Sequence, residues 1–150
     1  MSEKNIRTRI LGVDYGKARL GISLSDESLI IASPLPYLEA QRKMEMTLKK
    51  LINLIDDLKG DAKEINEVVI GLPYKMNGTL SPMGEEIKQF AALLEEGSSY
   101  KVTLWDERLS TVQAERAMRE GGLSRKKRSK SIDSLSAVLI LQSYLEMKTN

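Results

Sequence analysis

The chain has 150 residues, of which 29% are charged, and it contains neither histidine nor cysteine. This composition predicts one soluble globular domain spanning residues 1–150, and it excludes disulfides, thiolate or histidine metal sites and Ser-His or Cys-His nucleophile pairs. No apolar run is long enough to span a bilayer and no secretory signal is evident, so we expect a cytoplasmic protein. Chemistry at neutral pH must then come from carboxylates, lysine, tyrosine or a bound metal.

Residues 9–25 are predicted to form two strands joined by a tight turn. The mainly apolar run 10–13 ends at Asp14, and apolar residues alternate with small ones over residues 20–24. Gly16 lies in the turn, where glycine is free to adopt a positive φ. Asp14 would therefore lie at the end of a buried strand, where it either binds a ligand or simply begins the turn.

The rest of the chain alternates between strand and helix patterns. A strand is predicted over residues 28–38, and its two prolines place it at a sheet edge. The next predicted elements are a helix over 41–59, a strand over 67–71, an Asn77-Gly78 turn and a helix from Ser81 to Glu96. They are followed by a strand over 101–105, a helix from Ser110 to the glycines at 121–122, and a helix over 131–147. A meander followed by this alternation predicts an α/β fold with a mixed sheet flanked by helices.

Three acidic residues occupy special positions in this pattern. Asp14 and Glu107 each follow the apolar part of a strand, and Asp133 lies in the first turn of the last helix. Three converging carboxylates would suit hard cations such as Mg²⁺ or Mn²⁺. Two simpler interpretations stay open, because Glu107 could form a surface ion pair with Arg108 and Asp133 could serve only the helix dipole.

Basic residues cluster in one loop and beside the first acid. The loop over residues 124–131 contains no acidic residue and five basic ones, Arg125, Lys126, Lys127, Arg128 and Lys130. It is either a phosphate-binding segment or a solvated linker. Lys17 and Arg19 could contact a phosphate, although alternation also predicts Arg19 as a plain solvent-facing strand residue. The few scattered aromatic residues provide no evident stacking surface, and Trp105 is expected in the core.

Five segments, in this order, resemble the YqgF family of bacterial proteins, which has a ribonuclease H-like fold and is described both as pre-16S ribosomal RNA nucleases and as Holliday junction resolvases. The resemblance covers the chain from Ile10 to Leu145. Its motifs are Gly12-Val13-Asp14-Tyr15-Gly16-Lys17-Ala18-Arg19-Leu20-Gly21, Val69-Ile70-Gly71-Leu72-Pro73, Asp106-Glu107-Arg108-Leu109-Ser110-Thr111, Ser124-Arg125-Lys126-Lys127-Arg128 and Ile132-Asp133.

The resemblance implies a ribonuclease H-like nuclease whose catalytic and metal-binding trio is Asp14, Glu107 and Asp133. With two Mg²⁺ or Mn²⁺ ions it would hydrolyse phosphodiester bonds, and the favoured substrate is the 5′ end of pre-16S ribosomal RNA within a ribosomal precursor particle. The residues expected to contact nucleic acid are Lys17, Arg19, Arg108, Arg125, Lys126, Lys127 and Arg128.

Three other functions stay open at this stage. The chain could resolve four-way DNA junctions, which needs a symmetric dimer, whereas the sequence indicates a monomer or a weak homodimer. It could be a non-catalytic nucleic-acid-binding or ribosome-assembly factor. Its first hairpin also fits the phosphate-binding lobe of actin-like ATPases, although those enzymes need two such lobes.

Overall fold

A computed structural model of the chain describes residues 8–60, 63–109 and 132–149, with the side chains of 134–148 in the last range. The predicted helix after Ser110 and the basic loop 125–128 lie outside the described residues. The described elements are β1 (Arg9–Tyr15), β2 (Arg19–Ser25), β3 (Ala32–Glu39), α1 (Met44–Gly60), β4 (Ile65–Leu72), α2 (Pro82–Glu96), β5 (Lys101–Asp106), a 3-10 turn (Glu107–Leu109) and α3 (Ile132–Thr149).

The five strands form one mixed sheet in the order β3-β2-β1-β4-β5. The first three strands are antiparallel neighbours, whereas β4 runs parallel to both β1 and β5. The predicted mixed α/β sheet and the edge position of the proline-containing strand are therefore confirmed. Strands β1, β4 and β5 end at the same side of the sheet, which we call the carboxyl edge.

Helices cover both faces of this sheet because side chains alternate along each strand. Leu11 and Val13 of β1 belong to the core shared with α1 and α2, where Phe90 is fully buried. Ile10 belongs to the second core, beneath α3. None of the described helices is long and apolar enough to cross a membrane.

Helix α3 packs unusually close to strands β1 and β2. A Cβ atom on Gly12 would lie 2.8 Å from the Cβ atom of Leu141, so only glycine permits this approach. The Ser23 hydroxyl donates a 2.8 Å hydrogen bond to the backbone carbonyl of Ala137. Strand β2 is therefore tied to the first turns of α3, which fixes that end of the helix near the carboxyl edge.

Several local predictions were wrong. The third strand begins at Ala32 rather than at residue 28, because the Asp26 carboxylate accepts hydrogen bonds from the backbone amides of Ile30 and Ile31, at 2.8 and 3.1 Å, and holds a turn there. Helix α1 begins at Met44 rather than at residue 41. Gly16 does not use its freedom to adopt a positive φ; glycine is needed there because an added Cβ atom would lie 2.7 Å from the carbonyl oxygen of Arg19.

Candidate active site

Asp14 is the next-to-last residue of β1 and lies half-buried at the carboxyl edge. Burial raises the pKa of its carboxyl group, because a charged carboxylate loses hydration there. A hydrogen bond from the Ser136 side chain acts in the opposite direction and lowers that pKa. Since Ser136 belongs to α3, this bond shows that Asp14 faces the covering helix.

Glu107 begins the 3-10 turn that directly follows β5. Its side chain lies over Gly71 of β4, where an added Cβ atom would come within 2.9 Å of both Cγ and Oε2 of Glu107. Burial, together with the negative charges of Asp14 and Asp106, raises the pKa of Glu107 to about 7. Asp14 and Glu107, predicted as two members of the trio, are therefore close enough to interact electrostatically.

The backbone of the 3-10 turn is held from helix α3. The Ser143 hydroxyl donates a 2.8 Å hydrogen bond to the carbonyl oxygen of Leu109, and the Trp105 indole N–H donates to the Ser143 oxygen at 3.2 Å. The Trp105 ring also packs edge-on against Tyr144, with ring centroids 5.3 Å apart. Trp105 is half-buried and supports the turn that carries Glu107, a role that the sequence pattern did not indicate.

Arg108 is paired with Asp106 rather than with Glu107. Its Nη2 atom lies 2.8 Å from Oδ2 of Asp106. Hydrogen bonds from the Arg108 side chain lower the pKa of Asp106. The guanidinium carbon also lies 4.8 Å from the centroid of the Tyr74 ring. The alternative interpretation of Glu107 as the surface ion-pair partner of Arg108 is therefore wrong.

Asp133 lies in the first turn of α3, three residues before Ser136, and positions three apart share one helix face. Its side chain lies outside the described residues. Within the described ranges no group of three acidic side chains could hold a metal ion. The structure therefore brings together Asp14 and Glu107, and the complete trio stays a prediction.

Lys17 and Arg19 are both exposed in the hairpin that follows β1, at the carboxyl edge. The Arg19 guanidinium lies 5.1 Å from the centroid of the Tyr37 ring. The expected solvent-facing position of Arg19 is confirmed. Both cations lie at the same edge as Asp14, and their contact with nucleic acid stays a prediction.

With this geometry established, comparison with known proteins assigns the family. A family model described as "RuvX: Holliday junction resolvase" matches residues 8–147. The chain belongs to the RuvX family. This is the YqgF family that the sequence motifs indicated, so that resemblance is confirmed.

RuvX-family relatives match this chain over nearly its whole length. A protein of Protochlamydia amoebophila is 48% identical over 99% of both chains. A protein of a Geobacillus species is 43% identical, over 93% of this chain and 99% of its own. One of Clostridioides difficile is 42% identical, over 95% of this chain and 96% of its own. All three carry the name "Putative pre-16S rRNA nuclease".

Solved structures confirm the ribonuclease H-like fold of this RuvX-family chain. The structure described as "T. thermophilus RuvC in complex with Holliday junction substrate" matches 95% of this chain and 97% of its own, with a TM-score of 0.58 and 14% identity. A ROK hexokinase from Thermus thermophilus matches with a TM-score of 0.50 and 15% identity, over 73% of this chain but only 37% of the hexokinase. At these identities the likeness concerns the fold alone.

The donor set at the carboxyl edge fits a hard divalent cation. The acidic side chains of the site offer oxygen ligands, which Mg²⁺ and Mn²⁺ prefer. The sequence has no histidine or cysteine that could add a nitrogen or sulfur ligand from those residue types. Asp14 and Glu107 are half-buried and electrostatically opposed, as the raised pKa of Glu107 shows. A cation between them would offset that repulsion.

Proposed function

We propose that this chain is a metal-dependent nuclease that processes the 5′ end of pre-16S ribosomal RNA in the cytoplasm. The observation that carries the proposal is the electrostatic coupling of Asp14 and Glu107 at the carboxyl edge of a ribonuclease H-like sheet. Metal-assisted hydrolysis of a phosphodiester uses carboxylate oxygens to hold the metal and needs no protein nucleophile, and this pair supplies such oxygens.

Asp14, Glu107 and Asp133 would hold two Mg²⁺ or Mn²⁺ ions. When bound, such ions activate a water molecule and stabilise the leaving oxygen. Asp14 is the best candidate for a shared ligand, because its strand is central in the sheet and the Ser136 hydroxyl orients its carboxylate. The position of Asp133 one helical turn before Ser136 supports its membership of the site.

The substrate would be bound by the basic residues around the carboxyl edge. Lys17 and Arg19 are exposed there, and we propose that they contact the phosphate backbone together with Arg108 and the loop residues Arg125, Lys126, Lys127 and Arg128. Positive charges around the acidic site reduce the repulsion between its carboxylates and the negatively charged nucleic-acid backbone. Neutralising two of the loop residues should weaken binding and flatten its salt dependence.

Two observations bear on the choice of substrate. The names of relatives that are 42–48% identical favour a ribosomal RNA precursor, which a ribosomal precursor particle would present. Resolution of Holliday junctions is the second candidate, supported by the description of the family. It would require a stable symmetric dimer, whereas we expect a monomer or a weak homodimer.

A cleavage assay separates these candidates. Purified chain is incubated with a 5′-labelled pre-16S RNA fragment and with a four-way DNA junction, each in Mg²⁺, in Mn²⁺ and in EDTA. The variants are Asp14→Asn and, as a matched control, Asp57→Asn on exposed α1 surface. We expect metal-dependent cleavage of the RNA that only Asp14→Asn abolishes.

The other outcomes of this assay are equally informative. Cleavage of the junction alone would establish the second candidate. If neither nucleic acid is cleaved although both bind in a salt-dependent manner, the chain is a non-catalytic nucleic-acid-binding factor and the proposal is overturned.

A further inference from the structure

Tyr74, Arg108 and Asp106 lie together beside Glu107, and we call this group the Tyr74–Arg108 platform. The guanidinium of Arg108 lies over the Tyr74 ring at 4.8 Å. Asp106 ends β5 and is paired in register with Leu72, two residues before Tyr74. The platform therefore joins the ends of β4 and β5 at the carboxyl edge, next in sequence to Glu107.

Asp106 fixes the conformation of Arg108. One carboxylate oxygen of Asp106 accepts hydrogen bonds from the backbone N–H of Arg108 at 2.9 Å and from Nε at 3.1 Å. The other oxygen accepts from Nη2 at 2.8 Å. This forked pairing holds the guanidinium plane in one orientation. Because the side chain is already ordered, it loses little conformational entropy when a ligand binds.

Tyr74 is held just as firmly by the turn that follows β4. It pairs with Leu80 in an antiparallel bridge, and the amide of Lys75 donates a 2.7 Å hydrogen bond to the carbonyl of Thr79. Gly78 adopts a positive φ of 89° at the tip, as the predicted Asn77-Gly78 turn requires. The Tyr74 ring is thus presented by an ordered hairpin turn while it stays half-exposed.

The platform leaves a binding surface open. Nearly half of the Arg108 side-chain surface, 47%, is exposed even though its guanidinium lies over the Tyr74 ring. Among the described residues, Nη1 of Arg108 has no hydrogen-bond partner. Besides the phosphate contact proposed above, whose long-range attraction the paired Asp106 carboxylate partly offsets, Arg108 offers a ligand a flat, fixed face, which matches a nucleobase.

We propose that an unpaired nucleobase of the substrate strand stacks on the exposed face of the Arg108 guanidinium, which Tyr74 supports from the opposite side. The proposal rests on the proposed nuclease function and adds a substrate feature to it. A nucleotide stacked beside Glu107 places its own phosphodiester linkage near the acidic pair. The chain then binds a strand with an unpaired nucleotide at the cleavage position more tightly than a continuous duplex, in which every base is already stacked.

Equilibrium binding in EDTA tests this proposal without any cleavage. Fluorescence anisotropy compares a single-stranded oligonucleotide with a fully paired duplex of the same sequence. The test variants are Tyr74→Ala, which removes the ring, and Arg108→Lys, which keeps the charge but loses the plane. The control is Tyr74→Phe, because the Tyr74 hydroxyl has no hydrogen-bond partner among the described residues.

Stacking of one base contributes roughly 1–3 kcal/mol to binding, which corresponds to about a 5- to 150-fold change in affinity. We expect a loss within this range for the single strand in Tyr74→Ala and in Arg108→Lys, with duplex affinity unchanged and Tyr74→Phe like the wild type.

Either of two results would overturn the platform. Equal losses on the single strand and the duplex would mean that the two residues contact the backbone that both nucleic acids share rather than an unpaired base. Unchanged single-strand affinity in both variants would mean that no base stacks there. The proposed nuclease function fails separately, when the wild-type chain cleaves nothing in the metal-dependent assay.

Discussion

The negative charge of Asp14 helps to raise the pKa of Glu107, although Asp14 lies near the end of β1, Glu107 directly follows β5, and β4 separates these two strands. Gly71 of β4 makes this possible, because its missing side chain leaves room for the Glu107 carboxylate. Two half-buried acids that oppose each other are unfavourable for folding alone. Their arrangement is what a cation site requires.

Asp14→Asn should separate activity from stability. The amide keeps the shape of the side chain but removes the charge that burial disfavours, so we expect an unchanged or higher melting temperature in EDTA. Metal-dependent cleavage should fall by more than about 100-fold, because a direct ligand matters more than the outer-shell partners whose loss costs 10- to 100-fold. Retained cleavage, or a variant that unfolds, would contradict this interpretation.

Stability in EDTA should depend on pH through Glu107. Its pKa is about 7 in the folded chain against an ordinary 4.5, so the folded state binds more protons than the unfolded state between these values. The free energy of unfolding therefore falls as the pH rises from about 4.5 to 7. Urea denaturation at several pH values should show this slope. Glu107→Gln should flatten the slope, whereas the control Glu95→Gln, at an exposed position on α2, should leave it unchanged.

Ser136→Ala should weaken metal binding most at acidic pH. The Ser136 hydroxyl lowers the pKa of Asp14, so its removal leaves more of that carboxyl group protonated. We expect Mn²⁺ affinity, measured by calorimetry, to fall by about 10-fold at pH 5.5 and by less at pH 8. Ser136→Thr keeps a hydroxyl and should restore the affinity. An equal loss at both pH values would contradict the role given to this hydrogen bond.

Gly71→Ala should displace Glu107 or the helix above it. The added Cβ atom would lie 2.4 Å from Cδ1 of Ile140 and 2.9 Å from Oε2 of Glu107, both too close. Crowding of this kind costs about 1–3 kcal/mol, and the cleavage rate should fall with it. Gly60→Ala is the control, because nothing lies within 4 Å of its Cβ position. A fully active Gly71→Ala protein would show that the position of Glu107 is not critical.

The sequence was sufficient for the sheet and for the acids at its edge. Hydrophobic alternation identified β1 and β2, and the apolar runs that end at Asp14 and Glu107 placed both acids where parallel strands end. Residues 28–31 were misassigned to a strand because their apolar character outweighed the turn signal of Asp26, whose carboxylate in fact organises them.

The supporting contacts could not be predicted, because each depends on how distant segments pack. Nothing in the sequence around Ser136 or Ser143 indicates that helix α3 brings one to Asp14 and the other to the turn after Glu107. Tyr74 and Arg108 likewise meet only because β4 and β5 are neighbours. Hydrogen bonds between elements become visible only once the register of the sheet and the position of α3 are known.

Anomalous scattering from a crystal soaked in Mn²⁺ is the most direct test of the central claim. The account predicts a peak at the carboxyl edge, with oxygen atoms of Asp14, Glu107 and Asp133 about 2.0–2.3 Å from manganese. In Asp14→Asn crystals the same peak should be lost or strongly reduced. A peak at another place, or none at a Mn²⁺ concentration that supports cleavage, would contradict the claim that these acids form the metal site.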